Sequence, residues 1–306
     1  MWRPCGPGRD PTDSFPVSSR APAAPIPAVH ATMPVPSAWH RDPGEADAID
    51  AAALVAGTGL ARLEHLAVVA STMERAREFA IDSRCPLPAA VVADRQTAGR
   101  GRRGAGWWQA DASLAVSVVV DAGPARATPP AVWSLACGVA LAEAIAAVAP
   151  GVEPTVRWPN DVEVAGRKLA GILVEAPAGG RAIFGVGVNT AGASRDAPQA
   201  LRQRLVTLPD LTGRVLPRQR LLLAFLPRLF AVLAATAANP TAFVERYRAR
   251  CGLDGRMVTV FHGAETVTGI CRGIAADGSL VIDTPQGRRL LGSGSLTDPN
   301  HVWPGE

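Results

Sequence analysis

One stretch organises this chain: Asp94-Arg-Gln-Thr-Ala-Gly-Arg-Gly-Arg-Arg-Gly-Ala-Gly-Trp-Trp108, in which glycines are interleaved with arginines. The apolar runs Ala89–Ala93 before it and Leu114–Val120 after it are interpreted as buried strands. Glycines allow positive φ and a close approach of the backbone to a ligand, and guanidinium groups bind phosphate or carboxylate through paired hydrogen bonds. The stretch is therefore predicted to be a ligand-binding loop, closed by Trp107 and Trp108 over a flat or apolar ligand.

A loop rich in glycine and arginine is, by itself, equally typical of two simpler kinds of segment. A solvated linker or an RGG-like nucleic-acid-binding segment has the same composition. The formal net charge of the 306-residue chain is only +4, and no extended basic face accompanies the loop. The composition as a whole therefore does not indicate a nucleic-acid-binding protein.

The length and composition fit one large domain or two unequal ones, because 48% apolar residues are enough to bury a core. The cysteines are odd in number, widely spaced and without a CxxC pair; they are Cys5, Cys85, Cys137, Cys251 and Cys271. This pattern argues against a disulfide framework and against a zinc site, and it predicts a protein of the reducing cytoplasm.

The N-terminal segment is rich in Pro, Ala and Ser and has almost no periodicity. Residues 1–58 are predicted to be a disordered tail, because such a segment cannot bury enough apolar area to offset its ordering entropy. An alternative is that the true start lies nearer Met33. The segment has no apolar core behind a basic start, so it does not resemble a signal peptide. Residues 1–60 show one possible short helix and no helix-turn-helix pair, which predicts that no DNA is bound.

Two apolar runs need comparison with membrane spans. Ala131–Ala149 has Glu143 as its one charged residue, and Leu221–Ala235 is interrupted by Pro227-Arg228. Both are predicted to be buried or amphipathic helices of a soluble domain, so no transmembrane segment and no membrane partner are expected.

Regular patterns begin near residue 60. Leu66–Ala70 is predicted to be a strand, and Ser71-Thr-Met-Glu74 matches a capping box that opens a helix. The apolar stripe of that helix is formed by Met73, Ala76, Phe79 and Ala80. Capping alone would account for Ser71 and Thr72.

A hairpin is predicted within Val156–Glu175. Pro159 ends the preceding strand, and apolar residues alternate on both sides of the Ala165-Gly166 turn. Lys168 lies just beyond the turn, where a lysine is ordinarily only solvated. Asn160-Asp161 offers hard oxygens suited to Mg²⁺ or a ribose, with turn capping as the alternative.

The remaining elements complete two regions. The strand Arg181–Asn189 carries Gly185 and Gly187, and glycine weakens a strand unless something approaches its backbone closely. Helices are predicted near residues 217–235 and 241–250. Short alternating runs separated by glycine turns predict a small antiparallel barrel; they are Met257–Phe261, Thr266–Cys271, Leu280–Ile282 and Arg289–Leu291.

Three motifs, in this order and spacing, resemble the biotin–protein ligases, which attach biotin to a lysine of biotin-dependent carboxylases. They are Gln96–Gly104 with the tryptophan after it, Trp158–Asp161 through Arg167–Leu173, and Gly185–Asn189. The resemblance runs from about residue 62 to 298. It implies an α+β fold, in which a class II synthetase-like catalytic domain with a mixed β-sheet and flanking helices precedes an SH3-like barrel. The domains are predicted at 59–250 and 251–300, after the tail at 1–58.

The resemblance also implies the chemistry and its residues. The chain is expected to activate biotin with ATP and Mg²⁺ as biotinyl-5′-AMP and to transfer it to a carrier-domain lysine, with Lys168, Arg100 and Arg102 as the catalytic residues. Biotin-binding residues are implied at Ser71, Thr72, Met73, Gln96, Gly99, Arg100, Gly101, Arg102, Lys168, Gly171 and Gly185. ATP-binding residues are implied at Arg102, Arg103, Trp107, Asn160, Asp161, Lys168 and Asn189, with Asp161 as the Mg²⁺ ligand.

The sequence departs from the family pattern beside these motifs. Ala70 and Met73 stand where an Asp and an Asn usually flank the Ser-Thr pair, and Arg157 replaces a usual Lys. Ala115 stands where an aromatic residue often walls the biotin pocket. These differences concern the pocket shape and the affinity rather than the reaction class.

Two further functions are carried as alternatives. A lipoate-type acid–protein ligase would share the scaffold, although the loop and the barrel favour biotin. A non-enzymatic nucleic-acid binder would leave the strands of Lys168 and Asn189 unexplained. The expected partner is a biotin carboxyl carrier domain, and a homodimer is left open.

Overall fold

A large mixed β-sheet forms the centre of the computed structural model, which describes residues 47–110, 112–122, 128–177 and 179–297. Its seven strands follow the order β1-β2-β3-β7-β6-β5-β4, with β1 and β2 parallel and the other neighbours antiparallel. The strands are β1 Arg62–Val69, β2 Ala89–Gln96, β3 Leu114–Asp121, β4 Thr155–Arg157, β5 Asp161–Val164, β6 Arg167–Glu175 and β7 Arg181–Val188. The predicted hairpin is confirmed as β5 and β6.

Six helices surround the two sheets in the described residues: α1 Ala51–Thr58, α2 Thr72–Ile81, α3 Pro130–Val148, α4 Leu208–Thr212, α5 Arg218–Ala238 and α6 Pro240–Arg248. A five-stranded antiparallel sheet of order β11-β10-β9-β8-β12 forms the SH3-like barrel. Its strands are β8 Met257–His262, β9 Glu265–Ile274, β10 Leu280–Thr284, β11 Gly287–Leu291 and β12 Ser295–Thr297. The predicted α+β fold class is confirmed; β12 was not predicted.

The two faces of the large sheet bury different helices. In β2, Ala90 and Val92 belong to the core cluster that contains α3 and α5, and the alternate residues Ala89 and Val91 belong to the cluster that contains α2. This is the period-2 alternation of a strand buried on both faces. Glycines of β6 and β7 leave part of the α2 face uncovered, and the candidate site lies there.

Two helices, α3 and α5, are long and apolar enough to cross a membrane by length and composition. In α3, 78% of the most apolar window is buried inside the protein, which explains its composition as that of a core helix. The helix α5 continues through Pro227, and Leu221, Phe225 and Leu229 on one face are fully buried. The predicted buried and amphipathic helices are confirmed.

Part of the segment predicted to be disordered is helical. Helix α1 begins within residues 1–58, with Asp50 accepting a hydrogen bond from the Ala53 amide at 3.0 Å and Leu54 fully buried. The prediction was wrong here because tertiary burial stabilises a short alanine-rich helix that has no amphipathic pattern of its own. Residues 1–46, which hold the rest of that prediction, lie outside the described residues. The boundaries 59–250 and 251–300 remain predictions.

Trp158 joins the barrel to the large sheet. Its side chain is 1% exposed, and its indole Nε1 donates to the Gly278 carbonyl of the barrel at 3.1 Å. Val156, in β4, belongs to the same core cluster as Val260 and Leu296 of the barrel. The barrel is therefore part of one continuous core with the sheet, and Asn160 and Asp161 closely follow the residue that makes this junction.

Candidate active site

A cavity of about 560 Å³ opens on the α2 face of the sheet. Most of the predicted site residues line it: Ser71, Thr72, Met73, Gln96, Arg100, Gly101, Arg102, Arg103, Trp107, Asn160, Asp161, Lys168, Gly171 and Gly185. Segments separated by more than a hundred residues therefore converge, as the three motifs predicted.

Gly185 and Gly187 are positions where other parts of the chain approach the strand. A Cβ at Gly185 would lie 2.5 Å from the Met73 sulfur, and a Cβ at Gly187 would overlap the Trp107 indole. Gly171 similarly leaves room for Trp107 and for the Lys168 ammonium. The prediction that something approaches the backbone of this strand closely is confirmed.

One end of the cavity is neutral and consists of Ser71, Thr72 and Gln96; we call it the neutral end. The Gln96 Oε1 accepts from the Thr72 amide at 2.9 Å and from its hydroxyl at 3.1 Å, and Ser117 donates to the Thr72 hydroxyl at 2.8 Å. The Ser71 hydroxyl is fully buried and has no hydrogen-bond partner among the described residues. An unpaired buried polar group is costly unless a ligand completes it.

The predicted capping box does not form. Ser71 is the residue before α2, but its side chain makes no capping hydrogen bond, and the Glu74 amide bonds to the Ser71 backbone carbonyl at 3.1 Å. The Glu74 carboxylate pairs with Arg100 instead. The prediction was wrong because the Gln96 side chain accepts the hydrogen bond of the first helical amide, and Arg100 forms an ion pair with Glu74.

A second group of lining residues is charged and consists of Arg100, Arg102, Arg103, Asp161 and Lys168; we call it the charged end. Its arginines are held by three different elements. Arg100 pairs with Glu74 of α2, Arg102 donates to the Asn160 side chain at 3.2 Å, and Arg103 donates to the Ser295 hydroxyl of β12 at 2.6 Å. Arg103 and Gly104 adopt positive φ, of 54° and 79°.

Lys168 and Asp161 face each other across the hairpin, with the ammonium 2.6 Å from the Asp161 Oδ1. The ammonium also lies 5.6 Å from the centre of the Trp107 ring, within the range of a cation–π contact. Burial, followed by the neighbouring Arg103, lowers the pKa of the Arg102 guanidinium. Arginine titrates far above neutral pH, so Arg102 remains a cation at this end of the cavity.

Glu163 follows Asp161 by two residues in β5. It is 8% exposed, and its carboxylate accepts a hydrogen bond from Arg157 at 3.1 Å. Burial raises the pKa of the Glu163 carboxyl, and the charge of Arg157 opposes that shift. In the β5–β6 pairing Glu163 lies opposite Lys168. The ion pair between Arg157 and Glu163 therefore supports the strand positions from which Asp161 and Lys168 project.

Two predicted site residues do not line the cavity. Asn189 is 2% exposed, and its amide donates to the Val206 carbonyl at 3.0 Å and the Lys168 carbonyl at 3.4 Å. It contacts the Lys168 backbone rather than the cavity. Gly99 packs against Gln96 and the Trp107 backbone. For both residues, the motif predicts a position close to the cavity, but the tertiary contacts turn the residue away from it.

Other lining residues were not predicted as site residues. They are Gly104, Ala105, Gly106, Ile172, Leu173, Val186, Gly187 and Ser295. Most of them flank predicted positions in the same motifs, and Gly187 stands in the third motif. Ser295 comes from a three-residue strand of the barrel, and no local sequence signal marks it.

The lysine content of the chain carries a further signal for Lys168. Lys168 is the only lysine among the 31 lysine and arginine residues of the chain. Where every other such side chain is arginine, the one lysine marks a position at which a compact ammonium serves better than a planar fork.

Known proteins share this architecture. A sequence model described as the biotin/lipoate A/B protein ligase family matches residues 66–189, which places the sheet and its cavity among the acid–protein ligases. A second, described as the biotin protein ligase C terminal domain, matches residues 255–295. The chain is 35% identical to a biotin–[acetyl-CoA-carboxylase] ligase of Mycobacterium tuberculosis over 236 residues, which cover 74% of this chain and 85% of that protein. This chain belongs to the biotin protein ligase family.

Further relatives agree with this assignment. A biotin–[acetyl-CoA-carboxylase] ligase of Paracoccus denitrificans is 31% identical, over 66% of this chain and 86% of that protein. A biotin protein ligase of Aquifex aeolicus, solved in complex with biotin and ATP, superimposes with a TM-score of 0.69 at 27% identity. That superposition covers 78% of this chain and 98% of the Aquifex chain.

Proposed function

We propose that this chain activates biotin with ATP as biotinyl-5′-AMP and transfers the biotinyl group to a lysine of a biotin carboxyl carrier domain. The observation that carries the proposal is one cavity with a neutral, hydrogen-bonding end and a cationic end. These suit the two parts of the intermediate, a neutral ring system and a phosphate anhydride. A cytoplasmic location is part of the proposal, since the described cysteines are all free.

The neutral end would bind the biotin ring. The ureido group of biotin carries N–H donors and a carbonyl acceptor. The Ser71 hydroxyl can donate and accept, whereas the Thr72 hydroxyl already donates to Gln96 and accepts from Ser117, so it can only accept once more. The Ser71 hydroxyl is buried without a partner in the part of the chain that the structure describes, so a ligand there would complete it. Gly185 keeps the adjoining strand free of a side chain.

The charged end would bring biotin's carboxylate to the α-phosphate of ATP. Two anions repel, so their approach requires positive charge, which Arg100, Arg102 and Lys168 supply. The same cations stabilise the negative charge that develops as pyrophosphate leaves. In the second step the carrier amine attacks the carbonyl carbon, and AMP leaves. The chain's task in both steps is chiefly positioning and electrostatic stabilisation.

Magnesium fits the proposed site through Asp161. Among residues 47–110, 112–122, 128–177 and 179–297, no group of three His, Cys, Asp or Glu side chains could hold a metal by itself. Mg²⁺ in nucleotide enzymes needs only one or two carboxylates, because substrate phosphates and water complete its coordination. Asp161 would hold it, and the ion would supply further positive charge for the departure of pyrophosphate.

Two measurements test this function. Incubation with biotin, ATP and Mg²⁺ should release pyrophosphate without any partner, and addition of a purified carrier domain should give one biotinyl group on its lysine. Omission of ATP should abolish both. Pyrophosphate release with lipoate and none with biotin would instead establish the lipoate-type ligase, which the first family model also covers. Light scattering of the purified protein would decide whether it forms a homodimer.

A further inference from the structure

Two exposed apolar side chains lie on the outer face of β8, with Thr259 between them. Val258 and Val260 are buried, whereas Met257 and Phe261 are 53% and 39% exposed. Ile270 of β9 is half-buried and lies opposite Met257 in the antiparallel pairing, so these two residues share a face. We call Met257, Phe261 and Ile270 the barrel strip.

The barrel strip continues to the charged end of the cavity. In the pairing of β8 with β12, Phe261 lies directly opposite Ser295. Side chains of directly opposite residues project from the same face, with Cβ atoms about 4.5–5.5 Å apart. Ser295 lines the cavity and accepts a hydrogen bond from Arg103. The strip therefore begins beside the point where the adenylate would form.

Three arginines of the barrel strands are paired with acids of the barrel itself. Arg272 and Arg288 both pair with Asp283, and Arg289 pairs with Glu265. The charge of these three arginines is compensated within the barrel, and the barrel strip offers a partner apolar contact.

We propose that the barrel strip docks the carrier domain whose lysine accepts biotin. The inference rests on the proposed function and deepens it. Biotin and ATP are small and need only the cavity, but an amine on a folded domain can reach the adenylate only if that domain lies over the opening. A carrier surface with apolar side chains near its lysine fits the strip.

The test separates the two half-reactions. Phe261→Ser should raise the KM for the carrier domain about tenfold, the usual size of losing a buried aromatic anchor at an interface. Met257→Ser should raise it less, because Met257 lies farther from the cavity. Pyrophosphate release without carrier should equal that of the parental protein in both variants. Leu290→Ser is the matched control, since Leu290 is 57% exposed but lies on β11, at the other edge of the barrel sheet.

Other outcomes would overturn the proposal. An unchanged KM in Phe261→Ser, or an equal rise in Leu290→Ser, would show that the strip is not a docking surface. A parental dimer that dissociates in Phe261→Ser would show that a second copy of the chain covers the strip. Failure of the parental protein to release pyrophosphate would refute the proposed function instead. Thermal unfolding confirms that each variant is folded.

A separate observation carries a second inference. Lys168 is the only lysine of the 306 residues, and its ammonium is ion-paired to Asp161 inside the cavity. Biotinyl-AMP, the mixed anhydride that the proposed function makes, acylates amines. Arginine remains protonated and is not an acceptor. The chain therefore offers no freely exposed lysine to the reactive compound that it releases.

From this composition we infer that the protein does not biotinylate its own side chains through amide bonds. Acylation would form a bond from an amine nitrogen to the carbonyl carbon and break the bond from that carbon to the phosphate oxygen. AMP would leave with the electron pair, and the amine proton would pass to water. Apart from Lys168, whose ammonium is held by Asp161, only an amine outside the side chains of this protein can form the biotinyl amide in this way, so the lack of further lysines directs amide formation outward.

Pre-formed biotinyl-AMP makes the test independent of adenylation. The protein is mixed with it and with serum albumin, a lysine-rich bystander, and side-chain labels are mapped by mass spectrometry. Albumin should be labelled, whereas Lys168 should stay unmodified. Arg195→Lys should gain one label, because the Arg195 side chain is 87% exposed, and Arg195→Gln should gain none. Labelling of parental side chains to the extent seen in albumin, or no gain in Arg195→Lys, would overturn the inference.

Discussion

The two ends of the cavity differ in how they are held. At the neutral end, Ser71 and Thr72 are buried, and Gln96 fixes the start of α2 through two hydrogen bonds. At the charged end, Arg103 is exposed with positive φ, and each arginine is held by a different element. The neutral end is a preformed receptor, whereas the charged end is assembled from separate parts. Changes at the first should alter binding, and changes at the second should alter rates.

The largest effect is expected for Lys168, because in the proposed reaction its charge would act on the phosphorus as negative charge accumulates in the transition state. Lys168→Ala should reduce the rate of adenylation about a hundredfold or more. Lys168→Arg should recover only part of it, since a planar fork does not replace a compact ammonium. Single-turnover pyrophosphate release measures this, and transfer from pre-formed biotinyl-AMP is compared with it.

Arg167→Ala is the neighbouring control for this variant. Arg167 bonds to the Arg202 carbonyl and does not line the cavity, so its loss should leave adenylation unchanged. Parental rates of pyrophosphate release in Lys168→Ala would make Lys168 an ordinary surface lysine and would move the catalytic charge elsewhere.

Arg102 should show a smaller effect on a different step. It is half-buried, and its guanidinium donates to Asn160, so it can clamp the phosphate of the adenylate once that has formed. Loss of one charge-assisted hydrogen bond costs roughly 1.5–3 kcal/mol, so Arg102→Gly should release biotinyl-AMP about ten- to a hundredfold faster. The release of biotinyl-AMP is measured through the labelling of bystander lysines. Labelling that stayed confined to the carrier lysine would show that Arg102 does not clamp the phosphate.

The sequence predicts most of the cavity because its motifs are local. Alternation around Ala165-Gly166 predicts the hairpin on which Asp161 and Lys168 form their ion pair, and strand glycines predict a close approach at Gly185. The orientations of some side chains are set by tertiary contacts, which no local motif encodes. Glu74 leaves the capping box for Arg100, and Asn189 turns toward the Val206 carbonyl, although neither partner is near in sequence.

The barrel's contribution could not be predicted for the same reason. Ser295 lies in a strand of three residues whose register is fixed by β8, and Arg103 lies 192 positions away. Helix α1 was expected only as one possible short helix without bounds, because Leu54 is stabilised by burial rather than by an amphipathic pattern. By contrast, the single lysine was visible in the sequence and needed only a count of residue types.

At the neutral end, Ser71 should separate ligand binding from stability. Its hydroxyl is buried without a partner among the described residues, so Ser71→Ala should leave the free energy of unfolding unchanged or raise it. Biotin should bind up to about tenfold more weakly, because one hydrogen bond contributes about 0.5–1.5 kcal/mol. Calorimetric titration and denaturant unfolding measure the two quantities.

Ser117→Ala is the matched control, since that hydroxyl is equally buried but donates to Thr72 at 2.8 Å. It should lower the free energy of unfolding by about 1 kcal/mol. Equal destabilisation by the two substitutions would mean that Ser71 has a structural partner, and the contrast between a preformed receptor and an assembled end would lose its main support.

The smallest effect is expected where the barrel contacts the charged end. Ser295→Ala removes the acceptor of the Arg103 hydrogen bond, which is exposed, so water replaces most of the interaction and about 0.5–1 kcal/mol is lost. This loss of free energy corresponds to a dissociation of biotinyl-AMP that is about two- to fivefold faster. The affinity for biotin should not change, because the substitution does not alter the neutral end. Ser293→Ala is the control, since Ser293 is an exposed serine of the same segment that contacts His262. If Ser295→Ala weakened biotin binding as much as it hastened adenylate release, the two ends would act as one unit.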